Sequence, residues 1–504
     1  MRKKISLFFS LFPLLVGCSS NNVPLEFVPY KNEGEIKEIE DIGTLSLNPS
    51  YPGLNNMTSI SSLSDLGKAG GRQYLNSGGT AHLLVVPITF NEQEEDILNA
   101  KKTLIQNAFF GESKMTKYES VASYYHKSSY SHLKIEGEVA DFVLVDDVTL
   151  KDVTSTRDTV IIKAMQELLR EDETHIPFDI SPYCTINPNY IDAVYFIYDY
   201  PYKNPDSVFW AITEHRSSPL SGTKVINYSW SSFDFMQDDK DDILKSHKVR
   251  ANTYIHETGH LFGLVDYYNT KGYAYQPTGL MDMMDYNLGD HSSFSKYLLG
   301  WNKPIVVKEE GKITINSFSN DGDFILVPTS KYSNTPFDEY LLIEYFTPTG
   351  LNRSKEFPSY SYKDKDGNSH VFSYPTSYGL KVYHVDARLG YIPARPANPY
   401  AFIDDEDSKI SSRYKAGQTY VDFYYDNSPS EASSSCLLHL LESSGENTFS
   451  NGYAASNSTL FRRFASFGKD TYQDFVFNNG ELLPYWFEVK EFTANKVTID
   501  FHKK

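Results

Sequence analysis

The chain has 504 residues, long enough for more than one domain. Its 47 basic residues stand against 65 acidic ones, and the net charge of −18 opposes nucleic-acid binding and docking on anionic lipid through basic residues. Three cysteines cannot frame a chain this long with disulfides or build a cysteine-rich metal site, whereas 38 tyrosines and 32 phenylalanines can fill large cores.

At the N-terminus, Arg2, Lys3 and Lys4 precede the apolar run Ile5 to Val16, which is too short to span a bilayer. The run ends in Leu15-Val16-Gly17-Cys18, which resembles a bacterial lipobox. That resemblance implies removal of 1–17 as a signal peptide and lipidation of Cys18. The body is then held at the bacterial cell surface, outside the cytoplasm, and Cys184 and Cys436 remain as free thiols. Residues 18–79 are rich in Ser, Asn, Glu, Gly and Pro, and are expected as a surface tether or short pro-segment.

From 80 to 302 strands alternate with helices. Ala81 to Phe90 reads as a buried strand, and Glu92 to Phe110 as a helix ended by Gly111. A helix is predicted over Ser120 to Tyr130, an alternating strand over Leu133 to Leu144, and a helix over Val153 to Arg170. A buried strand follows at Ala193 to Tyr198. This mixture predicts an α/β or α+β unit. From 303 to 504 the pattern becomes short alternating segments between turns: Ile313 to Ile315, Asp323 to Val327, Tyr340 to Phe346, Gly379 to Val385, Thr419 to Tyr425 and Lys496 to Phe501. That spacing predicts a β-sandwich or β-sheet domain. Asp364 to Asn368 partly matches a calcium loop, but its glycine and distal glutamate are misplaced, and a hairpin turn is the better reading. The acidic runs Asp238 to Asp242 and Asp404 to Asp407 are expected as solvated segments; structural calcium stays open.

The chemistry concentrates in His256-Glu257-Thr258-Gly259-His260-Leu261-Phe262-Gly263-Leu264-Val265-Asp266. Histidines four apart on a helix project from one face, as two ligands of one zinc ion require. Glu257 leans over the same ion, placed to take a proton from a water that the metal activates. Gly263 can adopt the positive φ that ends the helix, which gives Asp266 a route back as third ligand. Three protein ligands with an open position describe a catalytic zinc. The bare H-E-x-x-H pattern arises by chance in about one chain in fifty of this length, and Gly263 with Asp266 lowers that roughly two-hundredfold.

The segment Gly279 to Asn287 (GLMDMMDYN) resembles the methionine turn of the metzincin proteases. Met281, Met283 and Met284 are all available for the turn; Met284 is favoured because Met284-Asp285-Tyr286 matches the Met-x-Tyr pattern of some metzincins. That likeness implies a hydrogen bond from Tyr286 to the tetrahedral intermediate. With Phe294 to Trp301, the HLLVVPITF strand, the segment from Tyr118 to Val139, and EYLLIEY and YGLKVYHVD downstream, the chain resembles the immune inhibitor A family of secreted metallopeptidases over roughly residues 80 to 445. The resemblance implies a metzincin-like catalytic domain followed by a β-sandwich-like all-β domain. It also implies a monomeric zinc endopeptidase acting on polypeptides, with ligands His256, His260 and Asp266 and base Glu257. The alternative is a surface adhesion lipoprotein that keeps the fold without proteolysis, but such a binder has no need of Glu257. His215 and His291 are weaker candidates for oxyanion or substrate contacts, and Glu344 and Asp386 read as paired interior charges.

Overall fold

A computed structural model describes residues 25–32, 34–46, 58–69, 71–146, 148, 154–173, 175–202, 208–237, 248–270, 274–353, 355, 357–389 and 436–504. The signal run, Cys18, the predicted strand Thr419 to Tyr425 and both acidic runs lie outside the described residues. The chain is mixed α+β. Among the described residues, no helix is long and apolar enough to cross a membrane.

Strands β1 (Gly79–Thr89), β2 (Leu133–Val139), β3 (Val194–Tyr198), β4 (Ile212–His215) and β5 (Asn227–Ser232) stand in the order β2-β1-β3-β5-β4, and Val143–Leu144 adds a sixth beside the end of β1. All run parallel except β4, the edge strand, which is antiparallel to β5. The middle of β1 and all of β3 are apolar because both faces of these strands are buried. Leu83, Val85, Tyr195 and Ile197 face one core, while Leu84, Val86, Val194 and Phe196 face the other. Pro87 lies where the pairing with β2 has ended at Val85 and that with Val143 has not begun, so no ladder bond is lost there.

Helices α1 (Leu63–Ala69), α2 (Glu95–Phe110), α3 (Val121–Ser128), α4 (Thr154–Leu168), α5 (Asn252–Leu261), α6 (Met283–Tyr286) and α7 (Ser293–Leu298) belong to this half of the chain, and α2, α3, α4 and α5 pack on the sheet. Phe109 of α2, Tyr124 of α3 and Ile255 of α5 fill the first core; Val160, Ile161 and Ala164 of α4 fill the second. Strand β5 was not predicted from its pattern, because Asn227, Ser229 and Ser231 are polar. All three are fully buried and hydrogen-bonded, Asn227 to Asp192 O, Ser229 to Thr213 and Ser231 to Tyr195.

The second half carries β6 (Gly311–Asn316), β7 (Phe324–Pro328), β8 (Glu339–Phe346), β9 (Tyr360–Lys363), β10 (Ser369–Phe372), β11 (Gly379–Asp386), β12 (Leu438–Leu441), β13 (Tyr485–Phe492) and β14 (Lys496–Lys503). One sheet runs β12-β11-β8-β7, with Ile305–Val306 at its edge; another runs β6-β14-β13 and ends at Ser466–Phe467. Ile343 and Val382 of the first share a core with Phe487 and Ile499 of the second. The alternate residues of β8, Tyr340, Leu342 and Phe346, join the core around α3 and α5 instead. A single core therefore runs across the expected boundary at 302/303.

The stretch expected as a tether is packed where it is described. Ile60, Leu63, Leu66, Tyr74 and Leu75 are buried in the same core as α5, and Trp301 Nε1 donates to Ser77 O at 2.7 Å. Farther upstream, Tyr30 N–H donates to Phe110 O at 2.7 Å and Glu40 N–H to Gly300 O at 2.6 Å. Polar composition concealed this, because the few apolar residues of 58–79 fall where the body covers them.

Candidate metal centre

Helix α5 presents His256 and His260 one turn apart and ends in a Schellman turn. Gly263 N–H donates to His260 O at 2.7 Å, and Leu264 N–H to Gly259 O at 3.2 Å. Gly263 has φ 93°, where a side chain would be strained. The reversed chain brings Asp266 against both histidines. His256 Nε2 lies 3.0 Å from Asp266 Oδ1, His260 Nε2 lies 3.2 Å from the same oxygen, and the two Nε2 atoms are 3.2 Å apart.

Both imidazoles are oriented from behind. His256 Nδ1 donates to Met283 O, and His260 Nδ1 donates to Leu264 O, each at 2.8 Å. A carbonyl only accepts, so each Nδ1 carries a proton, and Nε2 is the nitrogen that each ring turns toward the carboxylate. The Schellman turn thus supplies the acceptor that orients the histidine ending its own helix.

The dimensions of the cluster fit zinc. Two donors about 2 Å from one tetrahedral zinc stand about 3.3 Å apart, close to the separations here. Burial opposes a charged His260, yet Asp266 and Glu257 push its pKa up to about 9. Burial also works against ionised Asp266, but the two histidines hold it well below the usual carboxylate range. The donors therefore favour positive charge between them, and nitrogen and carboxylate oxygen suit zinc. His256 is nearly enclosed, whereas the side chains of His260 and Asp266 remain 17% and 22% exposed, which leaves one face of the cluster open. Among the described residues, this is the one group of His, Cys, Asp and Glu side chains able to hold a metal.

Glu257 is buried, which pushes its carboxyl pKa up against the opposing pull of His260 and His256. Its Oε2 accepts from the Thr213 hydroxyl at 2.8 Å, and Thr213 lies on β4 within 2.8 Å of Ser229 Oγ. The edge strand thus holds the carboxylate beside the histidines.

Met284 is fully buried, and a Cβ on Gly259 would stand 2.5 Å from its sulfur. Its side chain therefore lies against α5 between the two histidines, while the nearby Met283 contributes its carbonyl. Asp282 caps α6, accepting from Met284 N–H at 2.7 Å and Ser292 N–H at 2.8 Å.

Of two tyrosines near the motif segments, only Tyr268 is in contact with the cluster. Tyr286 packs edge-on against Tyr360 and Phe372, at 5.1 and 6.5 Å between ring centroids. Tyr268 stacks beside His256 at 6.2 Å between ring centroids, and burial with the Asp266 charge nearby raises its phenol pKa. Tyr268 carried no weight in the sequence reading although it stands two residues beyond Asp266. Thr213 had no sequence signal.

The weaker candidates have structural partners. His215 Nε2 donates to His260 O at 2.9 Å, and His291 is enclosed by Tyr124, Tyr125 and Trp301. Glu344 pairs with Lys381 at 3.3 Å and Asp386 with Arg388 at 2.8 Å. Asp364 accepts from Asp366 N–H, Asn368 N–H, the Asn368 amide and His370, so its oxygens close the β9–β10 hairpin turn. Cys184 and Cys436 are free. No family model matches this chain, and no curated protein matches it.

Proposed function

We propose that the protein is a lipid-anchored zinc endopeptidase of the bacterial cell surface, with a metzincin-like unit at 80–302 and a β-sandwich-like unit at 303–504. The observation that carries this reading is the convergence of His256, His260 and Asp266 beside Glu257, with both Nδ1 atoms occupied by carbonyls. The mostly parallel sheet with one antiparallel edge supports the first unit, and the two sheets sharing a core support the second.

His256, His260 and Asp266 would hold the ion. Zinc supplies Lewis acidity toward a scissile carbonyl and lowers the pKa of water toward about 7. Glu257 accepts the proton of the attacking water at its carboxylate and delivers it to the leaving amine. Thr213, on the other side of that carboxylate, keeps it aimed. Strand β4 is an edge among the described residues, and its outer backbone groups can pair with an extended peptide. Tyr286 is the proposed donor to the developing oxyanion, and Met284 the apolar floor. Lipid on Cys18 holds the unit where its substrates are extracellular polypeptides.

The test is Glu257→Ala in the full chain, assayed on casein with zinc content measured. Zinc is expected to stay bound while cleavage falls by about a thousandfold. Cleavage at the wild-type rate would sink the assignment.

A further inference from the structure

We infer that the N-terminal segment 59–79 is a permanent part of the metal centre, with Tyr74 and His215 as positioning residues for His260; this rests on the reading of the cluster as a metal site. The last carbonyls of a helix have no partner within it. In α5 two of them take donors from elsewhere in the chain. Leu261 O accepts from Leu75 N–H at 2.9 Å, and His260 O accepts from His215 Nε2 at 2.9 Å as well as from Gly263 N–H.

The Tyr74 ring joins these two supports. A Cβ at Gly263 would stand 2.5 Å from its Cδ2, and a Cβ at Gly67 would stand 2.7 Å from the same atom. The ring is thus wedged between α1 and the turn that carries the chain from His260 to Asp266. It also meets the His215 ring edge-on, 4.7 Å between centroids at 70°. Two glycines therefore make room for one ring, and that ring backs the histidine which holds His260 O. Buried Ile60, Leu63, Leu66 and Leu75 anchor the segment, and Trp301 Nε1 grips Ser77 O.

These contacts go to the backbone of the ligand turn, while the Nε2 and Oδ1 donor atoms face one another. A segment that merely blocked the site would lie over those donor atoms. This one braces the turn behind them, and its removal would free the carbonyls and the space that fix the geometry of His260.

The experiment uses the full chain with Tyr74→Ala, Tyr74→Phe, His215→Ala and His215→Gln. Zinc affinity is measured by competition with a chromophoric chelator, the visible spectrum of the cobalt(II) form is recorded, and thermal melting is followed alongside. Tyr74→Ala and His215→Ala are expected to weaken zinc by about ten- to a hundredfold and to shift the cobalt bands. Tyr74→Phe keeps the ring, and His215→Gln keeps an N–H donor, so both should retain affinity within about threefold. Should Tyr74→Ala fail to fold, Tyr74→Leu and the His215 pair decide. Unchanged affinity and unchanged cobalt spectra in the folded alanine or leucine variants overturn the inference and leave the metal reading standing. A wild-type chain that binds no zinc overturns both. An active mature form whose intact mass begins after Gly79 overturns the inference alone.

Discussion

Met283 O lies 2.8 Å from His256 Nδ1, so a residue 27 positions downstream sets the direction of the His256 ring. The methionine segment and α5 are therefore one device, joined again where Tyr267 N–H donates to Met284 O at 2.8 Å. Removing the device should act on the metal before it acts on the fold.

Asp282 is the place to test this, since its carboxylate holds the N–H groups of Met284 and Ser292. Asp282→Ala leaves both donors buried and should cost about 1–3 kcal/mol of stability. Zinc should bind about tenfold more weakly as Met283 O drifts from His256. Denaturant titration and chelator competition on the same preparation measure the two effects.

Tyr268 and Tyr286 separate by what they touch. Tyr286→Phe should lower kcat by about a hundredfold and leave zinc affinity alone, as expected for a donor to the oxyanion. Tyr268→Phe removes a hydroxyl from beside the cluster, where the ring stacks on His256, and should chiefly weaken zinc, by about tenfold. The opposite pattern, with kcat lost in Tyr268→Phe alone, would move the oxyanion role to Tyr268.

Gly263→Ala places a side chain at φ 93° against the Tyr74 ring. The backbone alone costs about 1–2 kcal/mol, and the contact adds to it. Melting temperature should fall, and zinc affinity should fall with it because the Schellman turn sets both His260 and Asp266.

Lys296 and Asp290 form an almost fully buried pair at 2.6 Å, and Asp290 also accepts from Ser128 and from His291 N–H. Lys296→Met strands a buried carboxylate and should cost about 3–5 kcal/mol. The double variant with Asp290→Asn should recover part of that loss. Urea unfolding of the single and double variants gives the comparison.

His439 makes stability sensitive to acid. Burial, with His384 nearby, lowers its pKa to about 3, below the ordinary value of 6.5. Between those values the unfolded chain binds the proton that the folded chain refuses. The stability is therefore fully present above pH 6.5 and is lost as pH falls toward 3. His439→Gln should flatten the fall in melting temperature over that window; an unchanged slope would show that other groups govern it.

Legibility differed between elements for physical reasons. The strands at β1 and β3 were plain because burial on both faces gave them continuous apolar runs, Leu83 to Ile88 and Val194 to Tyr198. Strand β5 was hidden because Asn227, Ser229 and Ser231 bond to Asp192 O, Thr213 and Tyr195, partners that only the folded sheet brings to them. The stretch 58–79 looked like a tether because composition averages over its length, whereas packing depends on a few positions such as Ile60, Leu66 and Tyr74.

By itself the sequence determined the spacing of His256, Glu257, His260 and Asp266, because helical periodicity and a glycine able to take positive φ are local properties of the chain. Those residues were named from the motif alone, and the fold brings the three donors together. Only the tertiary structure decided what holds them: Met283 O and Leu264 O behind the imidazoles, Thr213 beside Glu257, Tyr268 beside His256, and Tyr74 with His215 behind the turn. Each of these except Leu264 and Tyr268 reaches the site from a separate segment of the chain. Such contacts depend on how β4, α1 and α6 pack around α5, and no local pattern encodes that.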